Sequence, residues 1–430
     1  MKAVISNRIY LEAKDPEHLV HMERELTYSI PSYKEDQPPT IIKNLRKIRG
    51  NLYSIPVGRS DLIPSEYEIK DKRVLRPVEF PPFRHTLRES QQVVYDEIQD
   101  NAIINAFVSW GKTFTALAIA GKLGQKTLIV THTVALRTQW EQEIRKVYGF
   151  TPGIIGSGKN DTRPPIVVGN TQTLYKYKDK IAERFGTLII DECHHIPANT
   201  FNRLVDASHA RYKIGLSGTV DRKDGRHVVI ADYFGFKRFT PPRENYMEPQ
   251  VDIINTKIRF MDGAKIPWAI RVNDLVAQNE YGELVSLLAA VYRKKGHSVL
   301  VLSDRVNFLK KLATTLDEAC EIITGENTLE ERQTRMNNIK SGEKKILLGT
   351  QSIFSEGISL NELSCLVLAT PVSNEPLLTQ LIGRVIRESP GKIQPVIVDI
   401  NLRGKTAERQ GKVRIGHYIK EGYKINVIDT

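Results

Sequence analysis

Residues 102–123 read AIINAFVSWGKTFTALAIAGKL and contain a phosphate-binding loop pattern between Ala106 and Thr113. The loop follows an apolar run and precedes a stretch of helical composition, which is the strand–loop–helix context that such a loop requires. Backbone N–H groups of the loop and of the helix N-terminus then surround phosphate oxygens. Lys112 is expected to neutralise the β and γ phosphates of ATP, and the Thr113 hydroxyl to hold Mg²⁺. The other residues predicted to bind the nucleotide here are Ala106, Ser109, Trp110 and Gly111.

Two positions of this loop are unusual. Ser109 stands where glycine is frequent, and Trp110 is bulky. If Ser109 needs a positive φ, the strain costs about 1 kcal/mol, which a bound nucleotide can offset. Taken alone, the loop leaves open a chance match to the pattern.

A second motif, TLIIDECH, occupies residues 187–194 and is an apolar run that ends in two adjacent carboxylates. At the carboxyl end of a strand the chain turns into the loop where phosphate chemistry takes place. Asp191 is predicted to bind Mg²⁺, and Glu192 to polarise the attacking water as a general base. The alternative is an acidic turn at a strand end. Cys193, His194 and His195 lack a second ligand pair at zinc spacing, so a soft-metal site is not expected.

Apolar runs alternate with helix-length stretches in two blocks, which is typical of parallel strands covered on both faces. The predicted strands are Lys126–Thr131, Pro165–Gly169, Gly186–Asp191, Tyr212–Ser217, Ser298–Ser303, Lys345–Thr350, Ser364–Thr370 and Pro395–Ile400. The fold class is therefore α/β, with two tandem units behind a small α+β module. We expect the module at 1–85, the first unit at 86–240, a connector at 241–285 and the second unit at 286–430.

The first 85 residues contain most of the proline clusters and a basic run. The run comprises Lys43, Arg46, Lys47 and Arg49, and it indicates either a nucleic-acid contact or a solvated helix face. The proline-rich stretch at 76–85 is predicted to be a linker.

The composition excludes several classes of protein. The formal net charge is +12, which leaves polyanion binding and a solvated lysine-rich surface equally open. No apolar stretch approaches the roughly 20 residues that span a bilayer, and charge interrupts the N-terminus too early for a signal peptide. The three widely spaced cysteines do not form a disulfide framework. A location in the cytoplasm is expected.

From residue 87 to about residue 400 the chain resembles the superfamily 2 helicases. Leu87–Gln91 is similar to their Q motif, and Asp191–His194 to their DEAH-type box. The remaining motifs follow in family order: Thr131–Trp140 resembles motif Ia, Gly169–Gln172 motif Ib, Ser217–Thr219 motif III, Gly349–Ser359 motif V and Gln380–Arg387 motif VI. The resemblance implies two RecA-like domains of the P-loop NTPase fold.

The resemblance also implies roles for individual residues. Arg88, Gln91, His194 and Gly357 are expected to bind ATP, and Gln380, Arg384 and Arg387 to join Lys112 and Glu192 in catalysis. Arg384 and Arg387 are three positions apart on a predicted helix, so they would share a face and act from the second unit as arginine fingers. The expected nucleic-acid contacts are Thr131, Arg137, Thr171, Arg222 and Thr350.

Within the superfamily, the string GLSGTVDRKDG at 215–225 is closest to the branch that contains the UvsW, XPB and RecG helicases. Arg222 belongs to a charged trio of that branch, although a solvated charged turn explains it equally well. The expected function is an ATP-dependent DNA helicase of tailed-phage type that remodels forks or Holliday junctions in recombination, replication or repair. We expect branched or forked DNA as the partner, no membrane, and a monomeric or weakly associating chain. An RNA helicase, a restriction-type motor subunit and a catalytically dead nucleic-acid-binding protein remain alternatives.

Overall fold

The computed structural model describes residues 1–30, 38–107, 109–195, 199–218, 229–263, 266–355, 360–372 and 374–429. The chain divides into two compact units, Met1–Arg243 and Glu244–Thr430. Among the described residues, the helices are all too short or too polar to cross a bilayer.

The first unit begins with a small α+β module. Its elements are β1 (Lys2–Ile5), β2 (Arg8–Glu12), α1 (Pro16–Glu25), β3 (Thr27–Ile30), β4 (Thr40–Lys43), β5 (Arg46–Arg49), β6 (Leu52–Pro56) and β7 (Glu68–Asp71). Five strands form a sheet in the order β5-β6-β2-β1-β7, and β3 pairs with β4. Alternate residues such as Ile9, Leu11 and Ile55 point into a core with Met22 of α1. The basic run therefore lies on β4 and on the exposed edge strand β5, and not on a helix.

The rest of the first unit is built on a sheet of eight strands. Its elements are α2 (Glu89–Glu97), β8 (Ala102–Asn105), α3 (Lys112–Leu123), β9 (Thr127–Thr131), α4 (Val134–Tyr148), β10 (Gly153–Gly156), β11 (Lys159–Asn160), β12 (Ile166–Asn170), α5 (Thr171–Lys176), α6 (Lys178–Ile181), β13 (Thr187–Ile190), α7 (Asn199–Ala207), β14 (Tyr212–Ser217), α8 (Ala231–Phe234) and β15 (Arg238–Phe239). The strand order is β11-β10-β12-β9-β13-β14-β8-β15.

All neighbours in this sheet are parallel except β10 and β11. The central strands are buried along their whole length, because helices cover both faces and leave no position for a polar side chain. The loops that follow β8, β9, β12, β13 and β14 consequently leave the sheet at one edge. That edge carries the motifs found in the sequence.

The N-terminal module packs against the rest of the first unit through two buried carboxylates. Asp206 of α7 accepts hydrogen bonds from Arg8, whose Nη1 lies 3.0 and 3.1 Å from its two oxygens, and it also contacts Arg46. Asp232 of α8 accepts hydrogen bonds from Tyr28 (2.8 Å) and Asn44 (2.5 Å).

A third contact shows how closely the module approaches α8 in the rest of the first unit. A Cβ added at Gly58 would stand 2.2 Å from the carbonyl oxygen of Ala231, so only glycine allows this approach of the two backbones. The module is therefore packed against the elements that follow the acidic motif and β14.

The predicted proline-rich linker is an ordered segment of the first unit. Pro77 bridges to Gln125, and Phe80 and Phe83 pack against the core below α3. Phe80 lies 5.6 Å from the ring of Tyr148, measured between ring centroids. The prolines thus hold an extended chain across the surface, where its aromatic side chains are partly buried.

The second unit is a sheet of seven parallel strands with helices around it. Its elements are β16 (Gln250–Arg259), α9 (Trp268–Ala277), α10 (Asn279–Lys294), β17 (Val299–Ser303), α11 (Val306–Leu316), β18 (Cys320–Ile323), α12 (Leu329–Lys340), β19 (Ile346–Thr350), α13 (Gln351–Ser355), β20 (Cys365–Leu368), α14 (Glu375–Ile382), β21 (Val396–Arg403), α15 (Lys405–Lys420) and β22 (Lys424–Asp429). The strand order is β18-β19-β17-β20-β21-β16-β22.

The expected connector at 241–285 differs from the structure. Most of it belongs to the second unit, which begins at Glu244. Its residues form β16, which pairs with β21 and β22, together with α9 and the start of α10. The polar residues within β16, such as Asp252 and Asn255, weaken the apolar run in the sequence. Asp252 is nevertheless buried, because Tyr292, Asn426 and Gln250 donate hydrogen bonds to it.

Candidate nucleotide-binding site

The phosphate-binding loop joins β8 to α3 in a strained conformation. Ser109 has φ 85° and Gly111 has φ 90°, so a serine occupies the left-handed region that usually requires glycine. The cost at Ser109 is about 1 kcal/mol. Lys112 opens α3 and its Nζ donates a hydrogen bond to the Ala106 carbonyl at 2.9 Å, while Thr113 is the second residue of that helix. The first N–H groups of α3 lack acceptors within the helix, which suits the binding of phosphate oxygens.

Trp110 has a different place from the one expected. Its side chain is fully buried in the core of the first unit, so any contact of Trp110 with a nucleotide would come from its backbone. The indole N–H donates to Ser90 of α2 at 2.8 Å. The bulky side chain therefore anchors the loop to the helix that carries the Q motif.

Arg88 and Gln91 also contact this loop. The Gln91 Nε2 atom donates to the carbonyl of Trp110 at 2.8 Å, and Arg88 donates to the same carbonyl. The Gln91 Oε1 atom accepts from the Arg88 backbone N–H at 3.0 Å. Gln91 is only 3% exposed, and its amide supports the phosphate-binding loop.

The two carboxylates of the acidic motif follow β13. Asp191 is buried, and its Oδ1 and Oδ2 atoms accept from the Glu192 backbone N–H (3.0 Å) and from the indole N–H of Trp140 (2.8 Å). Burial, with the neighbouring charge of Glu192, raises the pKa of Asp191 to about 6, although Trp140 and Lys112 oppose the shift. A divalent cation would offset this cost of ionising Asp191, and carboxylate and hydroxyl oxygens are donors that Mg²⁺ prefers. The donor set therefore fits Mg²⁺.

Glu192 has φ 50°, which is a strained conformation for glutamate and brings its side chain beside His194. The His194 Nδ1 atom lies 3.3 Å from Glu192 Oε2 and 2.9 Å from the Ser217 hydroxyl at the end of β14. His194 thus connects the acidic motif to motif III. Cys193 is buried against Gly215 and burial raises the pKa of its thiol, so it is a packing residue.

Three of the expected nucleic-acid contacts in the first unit are buried. The Thr131 hydroxyl donates to the Thr133 carbonyl (3.2 Å), and the Thr171 hydroxyl donates to the Thr131 carbonyl (3.1 Å). Arg137 pairs with Glu141 (3.2 Å) and donates to Ser157 in the β10–β11 turn (3.1 Å). These hydroxyls and this guanidinium connect loops at the sheet edge and are not presented to solvent.

In the second unit, Thr350 ends β19, and its buried hydroxyl oxygen has no hydrogen-bond partner among the described residues. Gln380 lies on α14. Arg384 and Arg387 do not share a helix face, because α14 ends at Ile382. The chain then turns and pairs with residues 245–247, where Arg387 bridges to Tyr246. Arg384 lies in the turn, and Arg387 is extended and largely buried.

Two expected site residues, Gly357 and Arg222, lie outside the described residues, as do Thr219 and Ser359.

One residue that the sequence did not single out is Trp140, which donates a hydrogen bond to Asp191. The sequence places it within motif Ia, but no spacing rule relates a tryptophan on α4 to a carboxylate after β13. Asp206 and Asp232, which contact the N-terminal module, also belong to no sequence motif.

Comparison with known proteins identifies the family. Residues 84–222 match the model of the res subunit of type III restriction enzymes, and residues 281–389 match the helicase conserved C-terminal domain. The chain is 41% identical over 432 residues to the probable helicase D10 of Escherichia phage T5, covering 99% of this chain and 95% of that protein. It is 25% identical over 328 residues to the ATP-dependent DNA helicase uvsW of Enterobacteria phage T4, covering 69% of this chain and 64% of that protein.

A solved structure supports the same fold. Dbp5 of S. cerevisiae bound to RNA and ADP BeF3 superposes with a TM-score of 0.56, covering 79% of this chain and 89% of that chain at 12% identity. The two sheets described above are accordingly two tandem RecA-like domains. With a phosphate loop, an acidic motif and a relative of 41% identity along nearly its whole length, the chain belongs to the phage-type helicases of superfamily 2.

Proposed function

We propose that this helicase hydrolyses ATP with Mg²⁺ to move along DNA and remodel branched junctions. The observation that carries the proposed ATP hydrolysis is that two residues with strained backbone follow strands at the same edge of one sheet. Ser109 and Glu192 both have positive φ, and they belong to the loop that would bind phosphate and to the motif that would activate water. Backbone strain of this kind persists where the surrounding structure holds it, and it concentrates at functional sites.

In the proposed mechanism, Lys112 and the N-terminus of α3 bind the phosphate oxygens. Thr113 and Asp191 would hold Mg²⁺, which supplies charge stabilisation for phosphoryl transfer. Glu192 accepts a proton from the attacking water, and His194 orients that carboxylate. Arg384 and Arg387 are proposed to counter the charge that develops on the transferred phosphate. Gly357 is proposed to contact the nucleotide.

The side chains of Thr131, Thr171 and Arg137 are internal. We propose that the chain after β9, at the start of α4, and the start of α5 contact the nucleic-acid backbone through N–H groups. Thr350 also has a buried side chain, and we propose that it contacts phosphate from the end of β19, where its hydroxyl oxygen has no partner among the described residues. Arg222 is proposed to contact the nucleic acid from the segment after β14. DNA is favoured over RNA because the phage relative uvsW bears the name of a DNA helicase. An RNA helicase is the second candidate, since Dbp5, which shares the fold, was solved with RNA.

The exposed basic strand β5 supports a role of the N-terminal module in choosing the substrate. All four residues of β5 are exposed, and Lys47 and Arg49 lie on this edge strand. Cationic side chains on a narrow edge suit the phosphates of a duplex arm at a branch point. We propose that the protein acts in the host cytoplasm as a monomer or weak oligomer.

One experiment tests the substrate assignment. ATPase rates are compared at a single salt concentration with single-stranded DNA, duplex, fork, four-way junction and RNA. We expect the greatest stimulation with branched DNA. Equal stimulation by RNA would contradict a DNA-specific function, and a Lys112→Ala variant provides the background rate that excludes a contaminating ATPase.

A further inference from the structure

One buried contact that the proposed mechanism leaves unused joins Trp140 to Asp191. Trp140 lies in the middle of α4, is 1% exposed, and donates its indole N–H to Asp191 Oδ2 at 2.8 Å. The other oxygen of Asp191 accepts the Glu192 backbone N–H at 3.0 Å. Both oxygens therefore have fixed donors, and the orientation of the carboxylate depends on the position of the indole.

The position of the indole depends in turn on α4. This helix begins at Val134, directly after β9, and the Thr133 side chain caps it by accepting the Leu136 N–H at 3.3 Å. One turn before Trp140, Arg137 donates to Ser157 in the β10–β11 turn. Helix α4 thus runs from the loops that correspond to the nucleic-acid motifs to the buried carboxylate. A shift of its first turn would be transmitted to Trp140 because the helix is a rigid element.

We propose that Trp140 is a positioning residue that holds Asp191 in the orientation needed for Mg²⁺ and couples it to nucleic acid bound at the start of α4. The inference rests on the proposed function, in which Asp191 binds the metal. A buried indole N–H needs some acceptor in any protein, so packing alone could explain the contact. The two explanations differ in one consequence: only a positioning role predicts that loss of the N–H weakens metal binding.

The test compares two variants of the full chain that each remove one buried polar hydrogen from α4. Trp140→Phe keeps an aromatic ring but loses the donor to Asp191. Tyr148→Phe is the matched control, because the Tyr148 hydroxyl donates to the Leu117 carbonyl at 2.7 Å and does not contact the acidic motif. Thermal melting of both variants measures any general loss of stability. Metal binding is measured by electron paramagnetic resonance of Mn²⁺ added to the ADP-bound protein, and ADP affinity is measured separately in EDTA.

We expect Trp140→Phe to weaken Mn²⁺ binding about tenfold, the range found when a residue that orients a metal ligand is removed. Its ADP affinity in EDTA should be unchanged, because the phosphate loop is intact. Stimulation of its ATPase by single-stranded DNA should fall by a similar factor, whereas Tyr148→Phe should behave as the parent protein. Normal Mn²⁺ binding by Trp140→Phe, or an equal loss in Tyr148→Phe, would overturn the positioning role. Undiminished DNA stimulation would overturn the coupling.

An Asp191→Asn variant separates this inference from the proposed function. If Asp191→Asn binds Mn²⁺ as tightly as the parent protein, the metal assignment fails, whatever Trp140 does. If Asp191→Asn loses Mn²⁺ and Trp140→Phe does not, the metal assignment stands and only the positioning role of Trp140 is contradicted.

Discussion

At the scale of single residues, the candidate site is recognised by residues with a strained backbone or an unfavourable charge. Ser109 and Glu192 have positive φ, and Asp191 is a buried carboxylate with a raised pKa. Each state costs stability that bound nucleotide and metal can offset. The sequence predicts the identities of these residues, whereas their strain becomes visible only in the folded chain.

Glu192→Gln is predicted to abolish turnover while ATP binding persists. The amide keeps the size of the side chain but cannot accept the proton from water. General-base catalysis typically contributes about 10²–10⁴-fold, so kcat should fall by at least about 100-fold. Steady-state ATPase and fluorescent-nucleotide binding measure the two effects. A rate within tenfold of the parent protein would exclude Glu192 as the principal base.

Lys213 gives a prediction about pH. It is 1% exposed on β14, its Nζ donates to the Val205 carbonyl at 3.3 Å, and burial lowers its pKa to about 7. Between about pH 7 and pH 10.5 the unfolded chain binds more protons at this lysine than the folded chain does, so this group makes stability rise with pH. The destabilisation is greatest at pH 7 and below.

Replacing Lys213 with methionine should therefore raise the melting temperature, most at pH 6–7 and progressively less toward pH 10. Differential scanning calorimetry of both proteins across this range isolates the contribution of Lys213. A difference in melting temperature that does not change with pH would contradict a neutralised lysine. The matched control is Lys237→Met, because Lys237 is exposed and pairs with Glu97 at the surface.

At the scale of elements, the sequence predicts the central strands well and the end of helix α14 poorly. The predicted run Tyr212–Ser217 coincides with β14, because buried parallel strands have continuous apolar sequences. The end of α14 at Ile382 could not be foreseen. It depends on pairing of residues 386–388 with residues 245–247, which is a contact between distant parts of the chain. Local spacing therefore placed Arg384 and Arg387 on a helix that stops before them.

The extended segment after α14 leads to a prediction for Arg387. Its guanidinium is buried, and burial lowers its pKa. Arg387→Ala should lower kcat by about 10³-fold or more with little change in ATP affinity, since arginine fingers act on the transition state. Presteady-state hydrolysis and nucleotide binding measure these quantities. Arg293→Ala, an exposed arginine on α10, should be neutral, and a rise in KM with unchanged kcat for Arg387→Ala would assign it to ground-state binding.

At the scale of the whole chain, the N-terminal module is an integral part of the first unit. Arg8 and Arg46 contact Asp206, and Tyr28 and Asn44 contact Asp232, so deletion of the module would uncover two buried carboxylates. Motif arguments could not foresee this docking, because neither aspartate belongs to a motif. Surface substitutions that leave the docking contacts in place are thus a cleaner test of the module than truncation.

Charge reversal of Lys47 and Arg49 on β5 is predicted to reduce the preference for four-way junctions while the basal ATPase is retained. Loss of two phosphate contacts should make the negative slope of log affinity against log salt shallower by about 2. The matched control reverses Lys70 and Lys72 at the opposite edge of the same sheet. Fluorescence anisotropy at several salt concentrations compares the variants. An unchanged slope for the β5 variant would move branch recognition elsewhere.

The burial of Trp110 and Trp140 has a practical consequence. The chain has three tryptophans. Trp110 belongs to the phosphate loop and Trp140 contacts the acidic motif, while Trp268 packs against Phe260 and lies beneath Arg271 in the second unit. Indole emission depends on the polarity and hydrogen bonding of its surroundings. The protein therefore carries its own optical reporter of the nucleotide site, and a Trp268→Phe variant would leave an emission signal that arises from the first unit alone.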